Sequence, residues 1–517
     1  MLIFHQEDFR RDWQAMYDSR EHLIDSYPNP AFMSTFLVVI AIALQYTGSH
    51  RQHLLREYGV DSSTLKEKFL SIIRAKLLDI VSLASLEAVQ TCVLLGTYYL
   101  YHGNPGLAWP VCGCGLRLAQ ALNLHRRVPS SGSLDPETQR KYETRKRCWW
   151  AIYEIETFCS MSYGYPLSIK DADCDVELLD PLVRTVHSPA SFSSTHQFPT
   201  TLLSYKYLMS KLSVLIKDTL TDLYGIGSYR ATGVSSDRSE NFNLRNLIRK
   251  VSALDARLKD WKAEIPDLLC MDKLNSQRTY SSVDEMDQDI GAKGPGFENH
   301  ICQLQALTLE LAYQNTRILV HRPLLTYKMI PNDPGDTEQA QDPFQRSLQT
   351  CREAALSTSS IGSTPIFPLA ADTYAVTFIG IHTFTAGVML CILASIESLT
   401  VHSHASKMGL RQVLQMQMQL ESTSRSVLAA QGLEVLQRLI KLVLDKEMKE
   451  MFTPEVSVNS DIGTLPGISN LPVQDSADCI ESMAGFDALL ESDVFNYVHD
   501  PAMSQALCNF DQGNSSS

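Results

Sequence analysis

The stretch ETRKRCWWAIYEIETFCSMSYGYPLSI, Glu143 to Ile169, sets three cations before two tryptophans and ends in a Gly-Tyr-Pro turn. Cations that hold phosphate and aromatic rings that stack on bases are what a nucleic-acid surface requires. A helix would place the same residues differently. Asp135 and Pro136, a favoured N-cap and a favoured first residue, predict a helix that begins upstream and carries the cations in its body.

Helical spacing assigns the tryptophans to the buried side of this helix. One apolar stripe, broadened by Trp149 and Phe158, consists of Cys148, Ile152, Ile155 and Cys159. Large aromatic side chains on such a stripe hold helices together and are not free to stack on bases. We expect the cations to flank the stripe, with their heads in water or paired with acids such as Glu143. The stretch is therefore interpreted as a core helix. A nuclear import signal built on it would be poorly readable once folded.

The composition is that of an ordinary soluble globular protein. Of 517 residues, 44% are hydrophobic and 20% are charged, which leaves room for two or three domains. The net charge of −13 repels phosphate, so nucleic-acid binding would need a strong local basic patch. The N-terminus lacks the basic start and cleavage site of a signal peptide, and we expect the 12 cysteines to be reduced thiols of the cytosol or nucleus.

Apolar residues recur at helical spacing through most of the chain, as at Val89, Val93, Gly96 and Leu100, without sustained strand alternation. The sequence thus predicts an all-α fold, a large multi-helix regulatory domain. Breaks rich in Ser, Pro, Gly or Asp are expected to be mobile polar insertions. They fall at 130–134, 183–200, 225–243, 271–299 and 327–344.

Residues 374–394, YAVTFIGIHTFTAGVMLCILA, are long and apolar enough to span a membrane. The middle of the segment holds four polar or titratable groups, Thr377, His382, Thr383 and Thr385, and no Lys or Arg lies near either end to anchor it. A helix buried on all sides has the same composition. We favour the buried helix and expect no membrane association, with a membrane span at 374–394 as an alternative.

The chain changes character at Thr453. Residues 453–517 contain ten acids and not one Lys or Arg, so we expect a helical domain over 1–452 and an acidic, largely disordered tail over 453–517. Within 485–498, GFDALLESDVFNYV, one helical stripe carries Phe486, Leu489, Leu490, Val494 and Tyr497. Acids between such hydrophobes keep them solvated, as in activation segments that fold against a groove. The alternative is a C-terminal helix that packs on the domain.

Enzyme and metal motifs are missing from the sequence. It has no Walker loop, no G-x-S-x-G, no H-E-x-x-H and no C-x2-C pair. The acids Asp171, Asp173 and Asp175 lack the glycine and glutamate of a calcium loop, and we interpret them as a solvated loop. His50 and His53 lack further ligands. We therefore predict no enzymatic activity and no cofactor or metal in this chain. A magnesium-dependent all-α lyase or cyclase is the alternative, and it would need a second acidic cluster.

Several segments, in order, resemble the regulatory (middle homology) domain of fungal-specific transcription factors of the zinc binuclear cluster family. Residues 85–126 are similar to the family segment that runs from a Trp through Gly-x-Ala-x-Arg to Leu-Gly-Leu-His-Arg. Residues 145–166 are similar to its Arg-Arg-Arg-x-Trp-Trp and Gly-Arg-Pro motifs, and 315–325 to its Leu-His-Arg-Pro segment. The matching positions are Trp109, Gly113, Arg117, His125, Arg145, Arg147, Trp149, Trp150, Gly164, Pro166, His321, Arg322 and Pro323.

The chain departs from the family pattern at a few positions. Asn123 replaces the glycine before Leu-His, and because Asn is the usual substitute for Gly in the left-handed conformation, we expect a left-handed helix end there. Cys114 is assigned to a small alanine position in a tight helix contact. Glu156 and Thr157 replace an Asp-Arg pair, and Tyr165 replaces the arginine of Gly-Arg-Pro, so the Arg–acid contact of the family is not predicted here.

The resemblance implies a transcription regulator in the nucleus that acts through contacts with the transcription machinery or co-regulator proteins. It also implies control of metabolic genes, including secondary-metabolite clusters, and an acidic tail that activates. The family's DNA-binding zinc cluster would lie outside these 517 residues, so DNA would be reached only indirectly or through a missing N-terminal module. A homodimer is left open.

Overall fold

The computed structural model of the chain describes residues 3–18, 29–128, 135–181, 200–225, 237–276, 280–289, 295–325, 342–423 and 427–452. These residues form seventeen α-helices and four short 3₁₀ helices, with no strand among them, which confirms the all-α prediction. In chain order the α-helices are α1 (Gln6–Asp18), α2 (Pro30–Gln45), α3 (Ser49–Glu57), α4 (Ser62–Ala75), α5 (Leu77–Ser82), α6 (Leu86–Tyr101), α7 (Pro105–Ala121), α8 (Pro136–Tyr163), α9 (Leu202–Tyr224), α10 (Asp237–Ala263), α11 (Val283–Asp289), α12 (Pro295–Leu325), α13 (Pro343–Ser360), α14 (Ile366–Ala371), α15 (Val376–Ile396), α16 (Val401–Ser422) and α17 (Val427–Phe452).

Local sequence signals fix many of the helix ends. Ser, Thr, Asp or Asn side chains accept a first-turn N–H at the start of α2, α4, α6, α7, α8, α9, α13 and α16. The helix predicted for the Trp-Trp stretch is α8. Asp135 accepts the N–H of Thr138 at 2.9 Å, Pro136 is the first residue, and Gly164 ends the helix with a left-handed φ of 69°. The predicted start of this helix is confirmed.

The chain divides into two compact units, one ending at Leu436 and the other beginning at Gln437. Within the first unit, α2, α4, α6, α7 and α8 enclose one hydrophobic core. A second core in the same unit is formed by α9, α10, α12, α14, α15 and α16. The division falls inside α17. The predicted boundary after residue 452 stays a prediction, because 453–517 lie outside the described residues.

Two of the predicted polar insertions contain helix. Residues 225–243 include the first turns of α10, and 271–299 include the 3₁₀ helix Met271–Ser276, all of α11 and the start of α12. Tertiary contacts explain the helix at α11, since Met286 is buried and the carboxylate of Asp287 accepts the backbone N–H of His50 at 2.9 Å. The other predicted insertions lie mostly outside the described residues.

Helices α6 and α7 approach each other so closely that two glycines are needed between them. A Cβ at Gly96 would lie 2.3 Å from Cys112 Sγ, and one at Gly115 would lie 3.0 Å from the Cβ of Cys92. By contrast, Cys114 is exposed, so the tight contact predicted for it is wrong. The neighbouring Gly115 makes the close contact instead, because adjacent helix positions point about 100° apart.

Helix α15 covers the segment that is long and apolar enough to span a membrane. Of its most apolar 18-residue window, 72% is buried inside the fold. Its polar groups are bonded there: Thr383 Oγ1 donates to Ile379 O at 2.8 Å, and Gln417 of α16 donates to Gly380 O at 2.9 Å. Burial against neighbouring helices thus accounts for its composition, as the buried-helix interpretation requires.

Gly96→Ala tests the close approach of α6 and α7. The added methyl group would overlap Cys112 Sγ, so we expect the free energy of unfolding to fall by about 1–2 kcal/mol despite the better helix propensity of Ala. Gly113→Ala on α7 is the control, because a Cβ there meets nothing within 4 Å, and we expect it to be neutral or stabilising. Urea unfolding of both variants, followed by circular dichroism, gives the comparison. Equal stability of the two variants would contradict the close approach.

Candidate functional site

The two tryptophans of α8 are core residues. Trp149 is 1% exposed and Trp150 is 6% exposed. The indole N–H of Trp150 donates to the backbone oxygen of Glu177 at 2.9 Å, which satisfies its only donor. The stripe predicted beside them is buried too, with Cys148, Ile152, Ile155 and Cys159 all in the core. No face of either indole is available to a base.

The three cations before the tryptophans make three different structural contacts. Arg145 Nη2 donates to Leu122 O at 2.7 Å, where α7 ends, and a cation is favourable at the negative end of a helix. Lys146 pairs with Glu143 at 2.6 Å, as predicted. Arg147 is only 2% exposed and donates to Phe4 O at 3.3 Å, so the expectation that its head lies in water is wrong. Burial lowers the pKa of the Arg147 guanidinium.

The end of α7 is a joint between α7, α8 and the loop that carries Asp171, Asp173 and Asp175, which we call the acidic loop. Asn123 has φ 57°, and the N–H of Leu124 donates to Ala119 O at 2.9 Å, which confirms the predicted left-handed helix end. The ring of His125 lies 5.6 Å from that of Trp149. The backbone oxygen of His125 accepts the N–H of Asp175 at 3.1 Å. The family motifs at 123–126 and 145–150 therefore form one structural unit.

The Gly-Tyr-Pro turn shows how the chain accommodates its departures from the family pattern. Tyr165 stacks on Trp109 of α7, with ring centroids 5.0 Å apart and ring planes 19° apart. Glu156 is buried and its Oε1 accepts the backbone N–H groups of Ser168 and Ile169, which fixes the chain after the turn. Burial raises the pKa of Glu156, against the effect of these hydrogen bonds. An aromatic stack and a carboxylate–backbone contact thus tie the turn to α7 and α8.

The acidic loop is only partly the solvated loop that the sequence suggests. Asp171 accepts hydrogen bonds from Lys217 Nζ at 2.7 Å and from Tyr153 OH at 3.2 Å. Lys217 is buried, so Asp171 supplies its counter-charge. Asp175 accepts the N–H of Arg127 at 2.8 Å. Among the described residues no group of three or more His, Cys, Asp or Glu side chains is arranged to hold a metal ion.

A surface cavity of about 150 Å³ lies beside the joint, with Arg126, Arg127, Arg145 and Lys146 in its wall. Each of these cations already has a partner. Arg126 lies 3.4 Å from Asp175, Arg127 lies 2.9 Å from Glu177, and the other two bind Leu122 O and Glu143. A phosphate would have to displace three carboxylates and one backbone oxygen, which disfavours a phosphate site in this cavity.

The motif residue His321 belongs to a buried polar cluster that the sequence did not reveal. His321 Nε2 lies 3.3 Å from Asp255 Oδ1 on α10, and His321 Nδ1 lies 3.1 Å from Ser347 Oγ on α13. Lys259 Nζ donates to Asp255 Oδ2 at 2.7 Å. Burial alone would raise the pKa of Asp255, but the neighbouring His321 and Lys259 outweigh it and hold that pKa below its usual value.

The cluster has the Ser–His–Asp order of a hydrolase triad. All three side chains are buried, so a substrate has no access to the Ser347 hydroxyl. The contacts instead join α10, α12 and α13 through one carboxylate. Next in the chain, Arg322 lies over the ring of Tyr224 at 5.2 Å, and Pro323 stands in the last turn of α12.

The other motif residues have plain surroundings. Arg117 is exposed on α7 and donates to Gln120 Oε1 at 2.8 Å, a Cβ at Gly113 would meet nothing within 4 Å, and Pro166 is exposed. His53 lies 3.2 Å from Glu57 on the surface of α3. The stripe assigned to an activation segment, Phe486, Leu489, Leu490, Val494 and Tyr497, lies outside the described residues.

A family model, the fungal-specific transcription factor domain, matches residues 1–263, so the chain belongs to that family and the resemblance is confirmed. The chain is similar to an uncharacterized transcriptional regulatory protein of Schizosaccharomyces pombe, with 25% identity over 60% of this chain and 33% of that protein. It is 24% identical to the activator of stress genes protein 1 of Candida albicans, over 49% of this chain and 24% of that protein. It is 22% identical to an oosporein cluster regulator of Beauveria bassiana, over 51% of this chain and 36% of that protein. The chain thus covers about a third or less of the length of most of these relatives.

Asp255→Asn tests whether the buried cluster holds α10, α12 and α13 together. Losing the charge that faces His321 and Lys259 should lower the free energy of unfolding by about 2 kcal/mol at pH 7. The pKa of Asp255 is depressed in the folded state, so its stabilisation is full above the unfolded-state pKa of about 4 and is lost as the pH falls further. The difference between wild type and variant should therefore shrink at low pH.

Urea unfolding at several pH values measures this difference, and Asp260→Asn, an exposed acid on the same helix, is the control. We expect the control to change stability by less than about 0.5 kcal/mol. A difference for Asp255→Asn that does not depend on pH would contradict the assignment.

Proposed function

We propose that this chain is the regulatory part of a fungal transcription regulator that works in the nucleus through protein contacts. The proposal rests on one observation: the Trp-Trp stretch is buried inside the fold. The part of the sequence that most resembles a nucleic-acid surface is a core helix, with Trp149 and Arg147 buried and Lys146 paired. Membership of the transcription factor family supplies the regulatory role.

The net charge also favours protein partners. At −13, the chain repels DNA at long range, and three of the four cations of the cavity beside α7, Arg126, Arg127 and Lys146, are already paired with acids. Contact with DNA would therefore be indirect, or would come from a zinc-cluster module outside these 517 residues. The transcription machinery or co-regulator proteins are the proposed partners, and a second copy of the chain is a further candidate.

The similarity to an oosporein cluster regulator supports metabolic genes, including a secondary-metabolite gene cluster, as the target. The relatives also include an activator of stress genes, so the choice of target genes rests on the relatives and not on any contact in this fold.

The lyase alternative finds no support among the described acids. Asp171 is bound to Lys217 and Tyr153, and Asp175 to the backbone of Arg127, so neither carboxylate is poised to hold magnesium. We propose that the acidic loop has a structural role.

A reporter assay tests the activating role proposed for the tail. Residues 453–517, fused to a foreign DNA-binding domain, should activate transcription, because the stripe at 486–497 offers apolar side chains among acids to a partner groove. Replacing Phe486, Leu489 and Leu490 with Ala should reduce activation at least about tenfold, since such stripes carry most of the binding energy.

The matched control replaces three other aliphatic residues of the same tail, Ile462, Leu465 and Leu471, with Ala. These residues stand among Gly and Pro in the sequence, a pattern that does not predict a helical stripe. Activation should survive in the control. A wild-type fusion that is silent, at a protein level equal to that of an active control fusion, would refute the activating role.

A further inference from the structure

The surface cavity of about 150 Å³ beside the end of α7 combines charges of both signs with an apolar lining. One side of α8 contributes to it, with Gln139, Glu143 and Lys146 at spacings of four and three residues. The rest of the lining comes from the chain after α7 and from the acidic loop, and its apolar members are Leu124, Val128 and Val176. We call this cavity the joint cavity.

Glu143 is the buried acid of the joint cavity. Its side chain is 6% exposed, and Oε1 pairs with Lys146 Nζ at 2.6 Å, whereas Oε2 is buried without a hydrogen-bond partner among the described residues. Arg147, one turn further along α8, adds a compensating charge but donates to Phe4 O. A buried carboxylate oxygen costs free energy until an N–H or O–H donor reaches it. Glu143 therefore offers an acceptor to a ligand that carries such a donor.

The arginines of the joint cavity retain N–H groups after their structural contacts are made. A guanidinium carries five N–H donors. Among the described residues, the guanidinium of Arg127 is paired with Glu177 through Nη2, and that of Arg145 donates to backbone oxygens through Nη2, so donors remain on both. The double negative charge of a phosphate would meet the acids that already balance these cations. A ligand with one positive and one negative charge leaves that balance unchanged.

The size and the lining of the joint cavity together determine which ligand fits. A closed cavity of about 150 Å³ holds a molecule of about six heavy atoms, and a surface cavity allows a few more to protrude. The small volume requires the two charges of the ligand to be close together, and the apolar lining suits an aliphatic group. We propose that the joint cavity binds a small aliphatic α-amino acid. Its ammonium group would bind Glu143, and its carboxylate would bind the N–H groups of Arg127 and Arg145.

An amino acid held in this way joins segments that already contact one another. The backbone oxygen of His125 accepts the N–H of Asp175 at 3.1 Å, and Arg145 of α8 donates to Leu122 O at the end of α7. The ligand adds contacts between α8 and the chain after α7, so its binding stabilises their arrangement. The site involves no contact with DNA, and it does not depend on the regulatory role proposed above.

A ligand-observed NMR titration of the full chain, with L-leucine as the probe, tests the proposal. A ligand of this size in a partly open site should bind with a Kd of about 1 mM or below. Two analogues with the same carbon skeleton are the controls: 4-methylpentanoate lacks the ammonium group, and 3-methylbutan-1-amine lacks the carboxylate. Each should bind at least about tenfold more weakly than L-leucine, because each leaves one charged group of the site without its partner.

Glu143→Gln keeps the shape of the side chain and removes its charge. It should weaken the binding of L-leucine about tenfold and leave the weak binding of 4-methylpentanoate unchanged, a difference that a general loss of structure would not produce. Glu137→Gln is the matched control, because it removes the same charge from an exposed acid of α8 that does not line the cavity. L-Leucine should also slow hydrogen–deuterium exchange at 124–128 and 175–177.

Three results would overturn the proposal. The absence of saturable binding of L-leucine, L-valine or L-isoleucine up to about 20 mM would show that the cavity takes no aliphatic amino acid. Binding of 4-methylpentanoate as tight as that of L-leucine would make the ligand a simple anion. Equal affinity of the wild type and a folded Glu143→Gln, or unchanged exchange at 124–128, would place the ligand elsewhere. If Glu143→Gln does not fold, the comparison of the three ligands on the wild type decides the matter.

Discussion

Burial of the middle of α8 is the constraint on which the first core depends. Trp149 is buried with its ring 5.6 Å from that of His125 at the end of α7, and Arg147, also buried, donates to the backbone oxygen of Phe4. Because a buried guanidinium is costly without partners, the segment before α1 has to lie where its carbonyl can accept. Cys148 Sγ and Gln90 Nε2 both contact the oxygen of Ile3, which fixes the same segment from α8 and α6. These hydrogen bonds thus fix the position of the segment before α1 against α8 and α6.

Local sequence signals made part of the first core predictable. The start of α8 at Asp135 and Pro136, its apolar stripe and the left-handed Asn123 all follow from capping, periodicity and backbone preference, which act within a few residues. Contacts across the chain were not predictable in this way. The pairing of Asp255 with His321 joins residues far apart in sequence, and nothing near either one indicates the other. Arg147 was expected to have its head in water or paired with an acid, because helical spacing gives the side of the helix but not how deeply neighbouring elements bury it.

The family motif residues that make contacts in this fold have structural roles. Arg145 and Asn123 end α7, Gly164 ends α8, Tyr165 stacks on Trp109, and His321 holds Asp255. Burial also decides how α15 is interpreted, because its composition alone fits a membrane span and a buried core helix equally well. Burial lowers the pKa of His382 on that helix to about 4, its Nδ1 donates to Phe378 O at 2.9 Å, and its ring stacks on that of Phe378 with the centroids 4.1 Å apart. A neutral imidazole fits a protein core at neutral pH. The motif residues named here therefore stabilise the fold.

The basic, tryptophan-rich stretch is a core helix and not a nucleic-acid surface. A titration of the 517-residue chain with duplex DNA at several salt concentrations, followed by fluorescence anisotropy, checks this assignment. We expect no saturable binding at physiological ionic strength, and no change when Lys146 is replaced with Ala, since that cation is paired with Glu143. Binding that weakens with salt, with a logarithmic slope that falls by about one in Lys146→Ala, would show that the stretch contacts DNA.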